Sequence, residues 1–497
     1  MQPETRRVLY TTHSWMGAIF GIMLFIVCFS GSWAVVSEEL RFWEARDARL
    51  SPVDDFDVDD VLASAQRAGL DTRNATITLP SALQRHVKVS PGGRGRSEPR
   101  KSLVLEPSTA RVVQPAVSQM ADIVTTLHKS LYAGFPGRIV VSLFGVAMTV
   151  LLLGGIAMHA RRWRDSLTLK TGRGWRILTT DAHKVIGFWL LPLLLLISVT
   201  GIFSGLGALG TMTLSGFAYP GGMREAMGEL TGRPGVAASG HAAPLPGVRI
   251  LLERHRQAHP EFRPENVTLS HWGDANATLT VAGTRAGQLS TAVFEKYRYR
   301  AADGELLHAD SAHGRGFWTQ AFVAIQPLHF AQYGGAIVTL LNFLGGVGAA
   351  VLAASGTVMW LERRRLRGIA GRGTEILRAM ALGLCGGLLV ATSALMLGTA
   401  VIPPFYASKS SIQQCLFWGT WALMLALPVW APWRHRGVQP IAALAGLCFT
   451  LTGLLDIARS SGESWALAGP AWVVDAGVIF MGVGLCVLAL RLQRKTL

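Results

Sequence analysis

HSWMGAIFGIMLFIVCFSGSW (13–33) and HKVIGFWLLPLLLLISVTGIF (183–203) decide the reading of this chain. Each opens on a histidine and carries a glycine four residues later (Gly17, Gly187). Each closes on a small hydroxyl residue and a glycine at +17 and +18, Ser30-Gly31 and Thr200-Gly201. Both are apolar over close to the roughly 20 residues a helix needs to cross a bilayer. A second pair of segments repeats as faithfully. After Leu-His128 come Tyr132, Gly134, Gly145, Gly155 and Met158, and after Leu-His329 come Tyr333, Gly335, Gly346, Gly356 and Met359 at the same offsets. Residues 1–365 are thus a duplicated unit of span, loop and span.

Composition agrees. Half of the 497 residues are apolar and 16% are charged, against about a quarter in soluble domains. Eight spans are expected, near 13–37, 137–160, 183–207, 329–361, 378–400, 411–431, 439–457 and 471–490. The fold class is a polytopic α-helical membrane protein: a duplicated four-helix core, two small α+β outer domains and a C-terminal four-helix membrane bundle. The formal charge of +16 sits in RRWRDSLTLKTGRGWR (161–176), ERRRLRGIAGRGTEILR (362–378) and RLQRK (491–495). Such short basic loops mark the cytoplasmic side. They indicate lipid headgroups and topology, with no nucleic-acid partner, and place both termini inside. The N-terminal run reads as an uncleaved first helix.

The expected organisation is helix 1 over 1–37, outer domain 1 over 38–127, helix 2 over 128–160 and a basic loop over 161–182. Helix 3 (183–207), outer domain 2 (208–328), helix 4 (329–361) and a basic loop (362–377) repeat that order, and the bundle fills 378–497. Each outer segment shows a helical stretch (57–70, 247–260) followed by strand-like runs with turn signals. Five cysteines, all within apolar runs, form no CxxC or CxxCH. Zinc knuckles and covalent haem attachment are thereby excluded.

An ionisable group at the lip of a span is a functional hypothesis by default. The duplication puts His13 and His183 at the cytoplasmic ends of helices 1 and 3, and His128 and His329 at the outer ends of helices 2 and 4. Neutral imidazole is a good axial ligand for haem iron. Four histidines at repeated positions point to two bis-histidine, non-covalent b-type haems, one near each face. How the ligands pair in space stays open. Gly17, Gly187, Gly134 and Gly335 lie a turn or two from each histidine, where a flat macrocycle can approach. His86, His241, His255, His259, His271, His308 and His313 fall in the outer segments and His435 in a basic loop, where solvated histidines are common; His308 and His313 leave a surface metal site open.

These four spaced motifs, HSWMGAIFGIMLF…SG, LHKSLYAGFPGR…GGIAM, DAHKVIGFWLLPLLLLISVTG and LHFAQYGG…SGTVMWLERRR, resemble the PepSY-associated transmembrane family, which includes FoxB-type ferrisiderophore reductases. The resemblance implies a bacterial inner-membrane protein with a haem-binding core, periplasmic PepSY-like domains and reduction of ferric siderophore, with His13, His128, His183 and His329 as ligands. No nucleotide fingerprint appears, so a quinol or a cytosolic reductase is the expected donor. The aromatics Trp272, Phe317 and Trp318 and the basic Arg94, Arg96, Arg100 and Lys101 are candidate docking groups. The alternatives are a haem-based carrier to another periplasmic acceptor, for which Met212, Met223 and Met227 keep copper in view, a non-enzymatic peptide-binding or protease-regulating protein, and a transporter. The four added C-terminal helices carry Asp456 and Asp475 but no histidine within a span.

Overall fold

A computed structural model of the chain describes residues 3–46, 49–53, 55–92, 102–113, 119–159, 168, 175–223, 225–226, 228, 237–402, 409–429 and 437–493. Sixteen helices are used below: α1 (Pro3–Val35), α2 (Ser37–Glu44), α3 (Val58–Arg67), α4 (Gln119–Ser130), α5 (Gly134–His159), α6 (Trp175–Trp189), α7 (Leu191–Ile202), α8 (Ala208–Ala218), α9 (Val248–Ala258), α10 (Phe317–His329), α11 (Gly335–Leu366), α12 (Arg372–Met380), α13 (Gly387–Val401), α14 (Lys409–Ala426), α15 (Val438–Ser460) and α16 (Trp465–Gln493). Short π-helical turns, Phe203–Gly207 and Ala381–Gly386, join α7 to α8 and α12 to α13.

Among the described residues, seven helical segments are long and apolar enough to cross a membrane: α1, α5, α7–α8, α11, α12–α13, α15 and α16. They turn large side chains such as Leu143, Leu153 and Phe480 outward, so a lipid bilayer is their natural surrounding. The eighth expected span, 411–431, is α14, which is not among the seven. Its first turns carry Lys409, Gln413 and Gln414. It nonetheless runs antiparallel to α13 and the turn before it. Gln413 Nε2 donates to Thr399 Oγ1 (2.8 Å) near one end, and Leu425 packs on Gly383 near the other.

Several expected boundaries need correction. Helix 3, placed at 183–207, begins at Trp175, breaks at Leu190 just before Pro192, and continues to Ala218. Residues 208–218, assigned to an outer domain, are therefore helical. Thr211 and Thr213 return their hydroxyls to the Gly207 and Leu209 carbonyls, which removes polar groups from an apolar surface. Helices 2 and 4 do not start at His128 and His329. Left-handed backbone at Leu131, Tyr132 and Gly134, and at Ala331 and Gly335, interrupts the ladder. The histidines thus end α4 and α10, and the spans begin at Gly134 and Gly335.

The two outer segments are not separate domains. Strands β1 (Ala75–Thr78), β2 (Val87–Pro91), β3 (Leu103–Leu105) and β4 (Val112–Val113) come from the first. Strands β5 (Phe262–Ser270), β6 (Thr278–Arg285), β7 (Lys296–Arg300) and β8 (Leu306–Asp310) come from the second. All eight form one sheet in the order β4-β3-β2-β1-β5-β6-β7-β8. Ile77 faces Val89 on one side and Val267 on the other, all antiparallel. A four-residue strand left at a sheet edge exposes unpaired backbone, and joining the halves removes that edge from each. One face is covered by α3 and α9, whose Val61, Leu62, Leu251 and Leu252 share a core with Ile77, Val89, Val267 and Leu279. The helices also cap across the halves. Asp59 of α3 accepts from the amides of Val248 (2.8 Å) and Arg249 (3.1 Å) at the start of α9, where a carboxylate satisfies donors the helix cannot.

In the membrane core, α1 packs along α5 and α11, α7 along α5, and α6 along α11. Small residues set these contacts: Gly21 faces Thr357, Gly346 faces Ser32, and Gly145 faces Ser198 and Ile202. The C-terminal helices dock on α1, α2 and α4. Trp33 stacks on Phe449 (6.0 Å), Trp43 Nε1 donates to Asp475 Oδ1 (2.8 Å), Arg46 pairs with Asp456, and Gln413 Nε2 donates to Glu44 Oε1 (2.6 Å).

Candidate functional site

The structure brings the four repeated histidines together as two pairs. His13 and His183 lie 6.5 Å apart between ring centroids with their planes at 87°. His128 and His329 lie 6.1 Å apart with planes at 17°. On α1 the first pair is at the level of His13, while the His128 ring touches Val27 and Gly31. At 1.5 Å of rise per residue, the two pairs are separated by about 21–27 Å along the helix.

Hydrogen bonds orient three of these rings. His128 Nδ1 lies 2.9 Å from the Val27 carbonyl, an acceptor only, so this nitrogen carries the proton. His329 Nδ1 is 3.1 Å from Thr200 Oγ1, whose own hydrogen goes to the carbonyls of Leu196 and Ile197. His183 Nδ1 is 2.9 Å from Ser355 Oγ, which donates to the Leu352 carbonyl. In each case Nδ1–H donates, and Nε2 keeps its lone pair. Metal-binding imidazoles are ordinarily fixed in this way.

The backbone opposite each ring is a glycine. A Cβ on Gly31 would lie 2.7 Å from His128 Cε1, and one on Gly201 would lie 3.0 Å from His329 Cε1. Gly155 and Gly356 stand opposite His13 and His183, with the corresponding contacts at 3.6 and 3.5 Å. Of the glycines singled out from sequence, Gly17 faces open space and Gly187 contacts Leu352. Gly134 and Gly335 have φ of 59° and 61° and serve the breaks before α5 and α11 instead. Spacing overlooked Val27 and Ser355, while Thr200 stood in the repeat without an assigned role. Gly31, Gly201, Gly155 and Gly356 stood in the repeat pattern, which was the signal available.

The arrangement fits haem iron. Two metal–imidazole bonds of about 2 Å, each extended by about 1.1 Å from nitrogen to ring centre, give a centroid separation near 6 Å. Both pairs meet this spacing.

The remaining sequence candidates are not assembled into a comparable site. His308 Nε2 meets Asp310 Oδ1 (3.0 Å), which also receives Arg315 (3.2 Å). Among the described residues there is no group of three or more His, Cys, Asp or Glu side chains that could hold a metal. His255 is buried against Tyr299 (2.7 Å), and its pKa is pushed down to about 4 by burial and by neighbouring His259 and Arg256. Trp272 packs on the sheet core, whereas Phe317 and Trp318 are exposed at the start of α10. Met212 is exposed on α8. Arg94, Arg96, Arg100, Lys101, Met227 and His435 lie outside the described residues.

Comparison with known sequences places these features in a wider group. A family model described as the PepSY-associated TM region matches residues 10–363, a range that holds all four histidines and stops before the C-terminal bundle. The uncharacterized protein PA4219 of Pseudomonas aeruginosa is 43% identical over 386 residues, covering 70% of this chain and 96% of that protein.

Proposed function

This chain belongs to the PepSY-associated transmembrane family, and from that premise we propose that it is a di-haem oxidoreductase of the bacterial inner membrane. In this reading both termini are cytoplasmic and the eight-stranded sheet is periplasmic. His13 and His183 hold one b-type haem and His128 and His329 the other. Bound there, the haems supply one-electron transfer through the apolar layer.

The observation that carries the reading is the pair of imidazole pairs, each spaced for one iron, on two levels of one helix bundle. The chain's own residues do the preparatory work. Val27, Thr200 and Ser355 fix the tautomer and present Nε2. Gly31, Gly201, Gly155 and Gly356 let backbone lie against the ligand rings. The donor is a quinol or a cytosolic reductase on the inner side. The acceptor is a ferric siderophore at the outer face, whose hard oxygen ligands release the softer ferrous ion once one electron has been added.

The test is a reduced-minus-oxidised spectrum with a pyridine haemochrome assay on detergent-purified protein, followed by addition of ferric siderophore. About two b-type haems per chain, reoxidised by the chelate, is the expected result. Protein without haem, from cells supplied with iron and haem precursor, refutes the reading.

A further inference from the structure

A cavity of about 390 Å³ lies between α2 and the face of the sheet that α3 and α9 leave uncovered. Its charged lining is Arg41, Arg49, Arg85, His86 and Lys88 against a single acid, Glu38. Some of that charge is already matched. Arg41 reaches Asp122 (2.7 Å) and Glu38 (3.6 Å), and Arg49 reaches Glu463 (3.2 Å). Arg85 is different. Only 7% exposed, it donates to the backbone carbonyls of Ala82 (3.2 Å), Leu50 (2.6 Å) and Leu467 (3.4 Å) and lies over the Phe42 ring at 4.7 Å. No carboxylate among the described residues pairs with it. Lys88, exposed in mid-strand opposite Thr78 and Val104, has no ion pair among the described residues either.

A buried guanidinium held only by carbonyls and a ring has its hydrogen bonds but lacks a counter-charge. With Lys88 at the same cavity, two positive charges converge on a volume suited to a small molecule. Arg also matches carboxylate geometry with its planar fork. The place matters as well. Asp122, the partner of Arg41, is on α4 six residues before His128, which is about 9 Å of helical rise. Arg41, at the cavity, is thus tied to the helix that carries His128.

We propose that this cavity binds a small carboxylate-bearing metal chelate from the outer solution. The assignment rests on the reductase reading for its redox meaning, since there the chelate is the ferric acceptor. The binding itself does not depend on haem.

Gallium(III) citrate, a redox-inert stand-in for a ferric carboxylate chelate, tests this by calorimetric titration of the full chain in detergent. Saturable, salt-sensitive binding is expected, weakened at least tenfold in Lys88→Glu and retained in Lys88→Arg, with equal haem content in all three proteins. No binding by the unmodified chain, or equal binding by Lys88→Glu, overturns the proposal. So does a co-purified anionic phospholipid that blocks gallium citrate and is lost in Lys88→Glu, because the cavity then belongs to a headgroup. The two readings fail separately: haem-free protein that binds gallium citrate refutes the reductase alone, and haem-loaded protein that does not bind it refutes the cavity alone.

Discussion

Each histidine pair joins two repeat-related residues, yet the proposed inner pair (His13, His183) and outer pair (His128, His329) are built to different tolerances. At the outer pair the rings are nearly parallel and 6.1 Å apart, and a methyl group on either facing glycine would crowd its ring. At the inner pair the rings are perpendicular and 6.5 Å apart, and the same methyl groups would make ordinary contacts. The second nitrogens differ too. Outer His128 donates to the Val27 carbonyl of α1 and His329 to the Thr200 hydroxyl of α7, whose repeat equivalent is Ser30 and not Val27. The inner pair breaks the symmetry too, because the position of Ser355 beside His183 is taken by Gly154 beside His13. Duplication therefore copies the histidines, while local packing decides how firmly each is held.

The largest test of this contrast is His329→Ala. Haem content should fall from about two to about one per chain, with the inner spectrum intact and oxidation by an outer acceptor lost. Loss of both signals would mean that the pairs are not independent sites. A finer test compares glycines. Gly31→Ala forces a Cβ against His128, an overpacking that costs about 1–3 kcal/mol and should weaken outer haem binding about tenfold to a hundredfold. Gly356→Ala should change inner binding by less than about threefold, and equal effects would erase the distinction. An intermediate effect is expected from the orienting hydroxyls. Thr200→Val and Ser355→Ala should each cost about tenfold in affinity, at the low end for such groups, the first only in the outer spectrum and the second only in the inner. Spectra resolved by redox titration of the two variants separate these outcomes.

Much of the core was legible because it is local and repeated. The offsets from each histidine located the four residues that pair, and the same offsets named the facing glycines, though their partners lie on other helices. What stayed hidden was long-range. Nothing near Thr76 announces that it will pair with Thr268, so two domains were expected where one sheet forms. The helix breaks were equally faint, since Leu131, Tyr132 and Ala331 are not residues that ordinarily adopt left-handed backbone. The buried Asp456 and Asp475 looked unexplained until Arg46, just past α2, and Trp43 of α2 reached them. Their role is visible only after the C-terminal bundle docks on a helix encoded more than 400 positions earlier.

The pairing of β1 with β5 also sets a timetable for synthesis. β1 ends at Thr78 and its neighbour begins at Phe262, so a ribosome adding about 5–20 residues per second leaves that strand without its partner for roughly ten to forty seconds. During that interval the nascent first half presents an open, aggregation-prone edge, and its final shape waits for the rest of the repeat to be made.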